Sequence, residues 1–292
     1  MWSESITWKV AGSESVKTFL RGMKYLSTLD ESITFIVREQ KLEVMAMNQG
    51  PNAVMICSFK SDFFTEYSGT KLKIFAIYTR NLKLMTEAHK NSILSLKFLI
   101  RGEYYLDCVI DYNSGVEGSH GVPMKGEVGE LAKGGGPGVG IESDAWVSAP
   151  AAIWTDRLLR LFPAPHEFLA FRFAGDGLEV RNFDIERTSP GSRSYPIMIP
   201  SHYFDYNLKH EMEATCVSLP RMKSFLEMSK KCGLLVQLKP DLAEDHSQLT
   251  WQAFNEERSV FFTLIMTAEL ANLSPQVRYE ASIHPKNFME MV

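Results

Sequence analysis

The order of patterned segments in the first half of the chain returns in the second, and this repetition restricts the fold more than any single motif. After an amphipathic helix over "VKTFLRGMKYL" comes "SITFIVREQKLEVMAMN", where Ile33, Phe35 and Val37 alternate, a polar turn follows, and Leu42, Val44 and Ala46 alternate again. Period-two alternation on either side of a polar turn predicts a β-hairpin. A strand "AVMICSF", the segment "SDFFTEY", a strand "KLKIFAI", a helix "TRNLKLMTEAHK" and a hairpin "SILSLKFLIRGEYYLDCVIDY" complete the unit. Beyond a glycine-rich run from Tyr112 to Ile141 the order recurs. It reads as helix "AAIWTDRLLRLF", hairpin "EFLAFRFAGDGLEVRNFD", strand "SRSYPIMI", "SHYFDY", strand "EATCVSL", helix "PRMKSFLEMSKK", hairpin "GLLVQLKP…QLTWQAF" and strand "SVFFTLIMT". Asp62, Phe63 and Phe64 align with Tyr203, Phe204 and Asp205, and Arg80 with Arg221, at an offset of about 140. An α+β protein of two tandem homologous domains is expected. The first spans 1–112, extending to about 125 with an edge strand; a glycine-rich connector spans 113–142, the second domain 143–270, and a tail 271–292.

The chain carries 31 Lys and Arg against 35 Asp and Glu, a formal net charge of −4. That balance excludes a generally basic nucleic-acid binder, so any such binding must be local. Local basic faces are present. At about 100° per residue, Lys17, Arg21 and Lys24 fall within about 60° of one another, with Val16, Phe19, Leu20, Met23 and Leu26 opposite. Arg80, Lys83 and Lys90 share one side of the second helix, with Glu87 among them, opposite Leu82, Met85 and Ala88. Arg157 and Arg160 lie opposite Leu158, Leu159 and Phe162 on the third, and Lys223, Lys230 and Lys231 occupy the polar side of the fourth, with Glu227 between them. A single charged stripe is the ordinary solvated side of a surface helix. Four helices carrying local positive charge at matching places in two repeats of an acidic chain point instead to a polyanionic partner.

Other chemistry is weakly represented. The first residues, "MWSESITWKV", lack a basic region followed by an apolar run, and no window approaches the roughly 18 apolar residues of a membrane helix, so a soluble, intracellular protein without a membrane partner is expected. Cys57, Cys108, Cys216 and Cys232 show no C-x-x-C spacing and fit buried thiols. The run "GGGPGVG" lacks the Gly-Lys-Ser/Thr that a phosphate-binding loop needs, and reads as a flexible linker. His89, His120, His166, His202, His210, His246 and His284 show neither H-x-x-x-H nor H-E-x-x-H spacing, and Asp176 and Asp184 belong to hairpin chemistry. No catalytic residue, cofactor or metal is assigned, and the chain is expected not to be an enzyme.

The doubled order of helix, hairpin, strand, "FF-x-E-Y", strand, helix and hairpin resembles the sliding-clamp fold of proliferating cell nuclear antigen. More narrowly, "YLSTLDESITFIVREQKLEVMAMN" with "SFKSDFFTEY" resembles the first domain of the nine-type subunit of the heterotrimeric nine-one-one DNA-damage checkpoint clamp. "FLEMSKKCGLLVQLKP" and "LTWQAFNEERSVFFTLIMTAEL" resemble the end of its second domain, so the resemblance spans about Ile6 to Leu270. It implies a nuclear ring of this chain and two other checkpoint-clamp subunits around duplex DNA, with helices lining the DNA-facing side and antiparallel sheets outside. The cations named above would then meet phosphates and hold DNA without reading sequence. It further implies loading at single-strand/duplex junctions by an ATP-driven clamp loader, and recruitment of a checkpoint scaffold and kinase through a phosphorylated tail. About 22 residues follow Leu270 here, with one Ser-Pro at Ser274, which departs from the long tail of the family. A homotrimeric processivity clamp for a DNA polymerase is the alternative on the same fold, and a nuclease is the alternative of another class.

Two prolines locate the expected subunit contacts. Pro196 interrupts "RSYPIMI", and proline cannot donate to a ladder, so this strand is expected at a sheet edge. A bare apolar edge is an aggregation hazard, and in a ring the neighbouring subunit covers it by strand addition. Arg193, Tyr195, Ile197, Met198 and Ile199 are expected at one subunit edge. Ser119, Val122 and Met124, around Pro123, are expected at the other.

Overall fold

The computed structural model describes residues 5–48, 53–70, 72–82, 93–125, 145–162, 168–174, 177–183, 197–207, 215–240 and 248–267. The alternating segments form strands at the expected places. They are β1 (Thr7–Ala11), β2 (Ser32–Val37), β3 (Lys41–Met47), β4 (Ala53–Lys60), β5 (Glu66–Ser68), β6 (Lys73–Tyr78), β7 (Ile93–Arg101), β8 (Tyr105–Tyr112) and β9 (Glu117–Pro123). The second repeat supplies β10 (Trp146–Pro150), β11 (Phe168–Ala174), β12 (Gly177–Phe183), β13 (Ile197–Pro200), β14 (Asp205–Asn207), β15 (Thr215–Ser218), β16 (Leu235–Pro240), β17 (Gln248–Phe254) and β18 (Val260–Thr267). Two regular helices are described, α1 (Ser13–Leu29) and α2 (Leu219–Lys231), the latter with a proline in its first turn.

The chain divides into two compact units, Met1–Ile141 with Phe254–Leu264, and Glu142–Ala253 with Ile265–Val292. Most of β18 therefore belongs with the first unit, although it follows the second repeat in sequence. The glycine-rich run also yields structure at its start, where β9 pairs antiparallel with β8 from Tyr105↔Pro123 to Asp111↔Glu117.

In the first unit the strand order is β5-β1-β7-β8-β9 in one sheet, and a second run reads β18-β4-β3-β2-β6. Helix α1 packs on strands of both. The register separates the two faces of the second run. Phe75, Phe35, Val44 and Cys57 stand side by side across four strands, and α1 covers this face, where Phe19 meets Phe59 at 5.2 Å between ring centroids. Trp8, Phe19, Phe35, Phe59, Phe98 and Phe262 are fully buried there. Gly22 is the point of closest approach: a Cβ on it would lie 3.0 Å from the Phe262 ring and 3.2 Å from Cys57 Sγ. On the opposite face Ile36, Met45, Val54 and Ile56 form a second buried cluster, with Met47 and Ile74 against it.

The segment "SDFFTEY" closes one end of this unit. Phe63 packs at 4.9 Å from Phe59, the buried Phe64 stacks on Tyr67 at 5.2 Å, and the Tyr67 hydroxyl donates to the Arg38 carbonyl oxygen at 2.6 Å. Burial pushes the Tyr67 phenol up to about 12. Gly69 follows because a Cβ there would lie 2.0 Å from the same Arg38 oxygen.

In the second unit the orders are β14-β10-β16-β17 and β13-β12-β11-β15, and α2 contacts β15 and β16. Trp154, Trp251, Phe171 and Phe225 fill its core. Trp154 meets Trp251 edge-on at 5.0 Å and donates its indole N–H to Val236 O at 3.1 Å. The helix expected over "AAIWTDRLLRLF" is not regular. Ala151–Ile153 is α-helical, Trp154–Leu158 forms a π-helical turn and Leu159–Leu161 a 3-10 turn. Trp154, Leu158 and Leu159 must all be buried, yet positions five apart diverge by about 140° on a regular helix; a widened turn brings them to one side. The second expected helix is described only at residues 79–82.

Candidate nucleic-acid interface

Helix α1 presents Lys17, Arg21 and Lys24 on the side away from its buried residues Val16, Phe19, Gly22, Met23, Tyr25 and Leu26. Lys24 is exposed, while Lys17 and Arg21 are half-buried. Lys17 is not a free charge, since its ammonium bonds to Glu14 at 2.8 Å and holds that carboxyl below the usual range, with a smaller contribution from Arg21. Lys24 makes no ion pair with a described residue.

The second unit joins its cations more closely than the sequence indicates. Lys230 on α2 bonds both carboxylate oxygens of Asp156, at 2.9 and 3.0 Å, and Arg160 approaches the same carboxylate at 3.6 Å. The bond from Lys230 is the main cause of a lowered Asp156 pKa, with Arg160 and Arg157 adding to it. Arg157 stacks on Tyr203 at 5.0 Å from the ring centre, and Lys223 and Lys231 are exposed on α2. Arg157, Arg160 and Lys230 thus share one surface around Asp156, which was not among the expected site residues. The Asp156–Arg160 spacing of four was a legible signal. The Lys230 bond, between residues 74 apart, was not.

Arg80 does not join the α1 cations. Its guanidinium lies 5.0 Å from the ring centre of Tyr78, which pairs with Ser32 and so shares a sheet face with Thr34 and Ala76, opposite α1. Lys83 and Lys90 lie outside the described residues. Among those residues no group of three His, Cys, Asp or Glu could hold a metal ion, and no helix is long and apolar enough to cross a membrane. Cys57 and Cys108 are buried, and burial pushes the Cys108 thiol up to about 12.

Both proline-marked strands end their sheets in the described strand order: β9 beyond β8, and β13 beyond β12. Their side chains divide between two roles. Ser119 and Met198 are exposed and Ile197 half-buried, whereas Val122, Met124 and Ile199 turn into the core of their own unit. At such an edge those three offer a neighbour their main-chain groups and not their side chains. Arg193 and Tyr195 lie outside the described residues. Gly177 permits the close approach of β13, because a Cβ on it would lie 2.3 Å from Ile199 O.

No protein-family model and no curated protein matches the chain. Solved structures do. The chain is similar over 90% of its length to the A. fulgidus PCNA solved with the C-terminal region of FEN-1 bound, at 13% identity and a TM-score of 0.67, covering 98% of that chain. It is similar to the proliferating cellular nuclear antigen of Entamoeba histolytica at 12% identity and a TM-score of 0.68, again over 90% of this chain and 98% of the other. At such identities the likeness is one of architecture, and the chain has the fold of the PCNA-like sliding clamps.

Proposed function

We propose that this chain is one subunit of a nuclear, heterotrimeric, ring-shaped checkpoint clamp that encircles duplex DNA and acts as a non-enzymatic scaffold. The observation that carries this reading is the placement of Lys17, Arg21 and Lys24 on the outer side of α1, and of Arg157, Arg160, Lys223, Lys230 and Lys231 on the helical segments of the second unit, in a chain of net charge −4. Cations so arranged attract phosphates through counterion release and carry no base-reading geometry, which suits a protein that must slide.

In a head-to-tail ring each subunit offers two unlike edges, here β9 and β13, whether or not the subunits are identical. Strand β13 has four residues and ends at Pro200, with Pro196 just before it, and β9 contains Gly118 and Gly121 and ends at Pro123. Prolines remove ladder donors and glycines weaken strands, so a neighbour at either edge would be held by a short ladder. Junction DNA, an ATP-driven loader, a checkpoint scaffold and a kinase are the further partners of this reading. The PCNA of A. fulgidus binds the C-terminal region of FEN-1. By likeness, a partner protein's terminal segment is a further candidate ligand of this chain.

The test combines native mass with charge reversal. Alone, the purified chain should be monomeric, and co-expression with two other clamp subunits should give a 1:1:1 complex. Reversing Lys17, Arg21 and Lys24 to glutamate should leave that complex intact while weakening its hold on DNA. A stable homotrimer would favour the processivity clamp, and unchanged DNA affinity in the triple variant would remove α1 from the interface.

A further inference from the structure

Two cations meet on one tyrosine at the edge of the first unit. Lys125 Nζ lies 5.6 Å, and Arg80 Cζ 5.0 Å, from the ring centre of Tyr78, which is 38% exposed. Both distances fall within the range of cation–π attraction. The arrangement is fixed from two directions. The Lys125 amide donates to Ala76 O at 2.7 Å, and the Thr79 amide donates to Glu31 O at 2.9 Å, which anchors the residue between Tyr78 and Arg80. Neither cation forms an ion pair with a described residue. Elsewhere in the chain Lys17, Lys41, Lys97, Arg160 and Lys230 all contact carboxylates.

We propose that Tyr78, Arg80 and Lys125 form a cradle for the phosphate monoester of a phosphorylated segment of a partner protein. A guanidinium fork and an ammonium suit a dianionic phosphate, and each lies against the same ring before the ligand arrives. The surroundings select a polypeptide over a nucleic acid. Tyr78 sits on the sheet face opposite α1, away from the cations of that helix. Ile74 shares that face, and Leu72, at the same even spacing just before β6, is 50% exposed. Lys125 bridges to Ala76 beside β6, which keeps its side chain on this part of the sheet. A phosphorylated peptide can place an apolar side chain beside Leu72 while its phosphate meets the cations, which a polynucleotide backbone cannot do.

This cradle is independent of the DNA reading and is testable on the full chain by itself. Titrate the ¹⁵N-labelled protein with N-acetyl-phosphothreonine N-methylamide, its unphosphorylated counterpart, and oligothymidylate, following the amides of Thr79 and Lys125. The phosphorylated compound should shift both amides saturably and the unphosphorylated one should not. A double variant Arg80→Gln, Lys125→Gln should weaken binding at least about tenfold. Tyr78→Phe keeps a ring under both cations and should bind as the parent does, which separates the cradle from any loss of folding. Equal binding by the double variant, or tighter binding of oligothymidylate at the same amides, would overturn the proposal.

Discussion

Replacing Gly22 with alanine sets two effects of opposite sign against each other, and the packing of β18 decides which prevails. In the middle of a helix, glycine is less favourable than alanine by about 1 kcal/mol, so an unconstrained Gly22→Ala would stabilise the protein by that amount. Here the added methyl would lie 3.0 and 3.2 Å from two carbons of the Phe262 ring and 3.2 Å from Cys57 Sγ. Both neighbours are fully buried, and Phe262 stands edge-on to Phe59 at 5.9 Å, so the ring has nowhere to retreat. Overpacking of this kind costs about 1–3 kcal/mol, which leaves a net destabilisation of up to about 2 kcal/mol. Urea unfolding followed by circular dichroism gives the value, provided the slope with denaturant stays that of the parent. Shrinking the ring with Phe262→Leu should relieve the clash, and a double-mutant cycle should return a coupling of about 1–2 kcal/mol. If Gly22→Ala instead raises stability by about 1 kcal/mol, β18 does not pack on α1 and the assignment of residues 254–264 to the first unit is wrong.

Three further outcomes follow from the same packing and charge pairs. Asp156→Asn frees Lys230 and Arg160 from their shared carboxylate, so the assembled ring should hold DNA more tightly, with log K against log salt steepened by about 0.9 for each additional phosphate neutralised. An unchanged slope would mean that this surface does not face DNA. Tyr67, with its phenol raised to about 12 from 10.0, should ionise late in an alkaline titration read at the tyrosinate absorbance, and Tyr67→Phe should remove that late step. Because the folded value lies above the unfolded one, its contribution to stability is full below about pH 10 and is lost as pH rises through about 12; alkaline unfolding that ignores the substitution would contradict this. Gly69→Ala drives a methyl into a backbone carbonyl at 2.0 Å and should cost about 2 kcal/mol or more in urea unfolding, whereas parent-like stability would mean that Tyr67 does not hold Arg38 in place.

Local pattern made most of the fold legible. The alternation of Ile33, Phe35, Val37 and of Leu42, Val44, Ala46 corresponds to strands paired in register at Phe35↔Val44, because burying one face of a sheet forces period two on the sequence. The fully buried Val16, Phe19, Met23 and Leu26 likewise disclosed the inner side of α1. What stayed hidden depends on partners distant in sequence. Nothing near Val260 says that it belongs with a unit whose other strands end before residue 124, since that choice rests on pairing with β4 and on contacts such as Phe59–Phe262. The irregular turn at Trp154 arises from the need to bury that indole against Trp251 and Val236, far along the chain. The basic faces were legible by sign and not by state. Periodicity places Lys17 and Lys230 outward, but the carboxylates of Glu14 and Asp156 decide how much of their charge remains for a partner.

The central claim, a ring closed around DNA, is tested most directly by topology. The chain, assembled with two other clamp subunits, would be loaded onto nicked circular DNA, separated from free protein, and the DNA then cut once with a restriction enzyme. An encircling ring should stay on the circle in moderate salt and be lost when linear ends appear, while blocking those ends should restore retention. Equal retention on circular and linear DNA would mean that the protein binds the surface of the duplex and does not surround it.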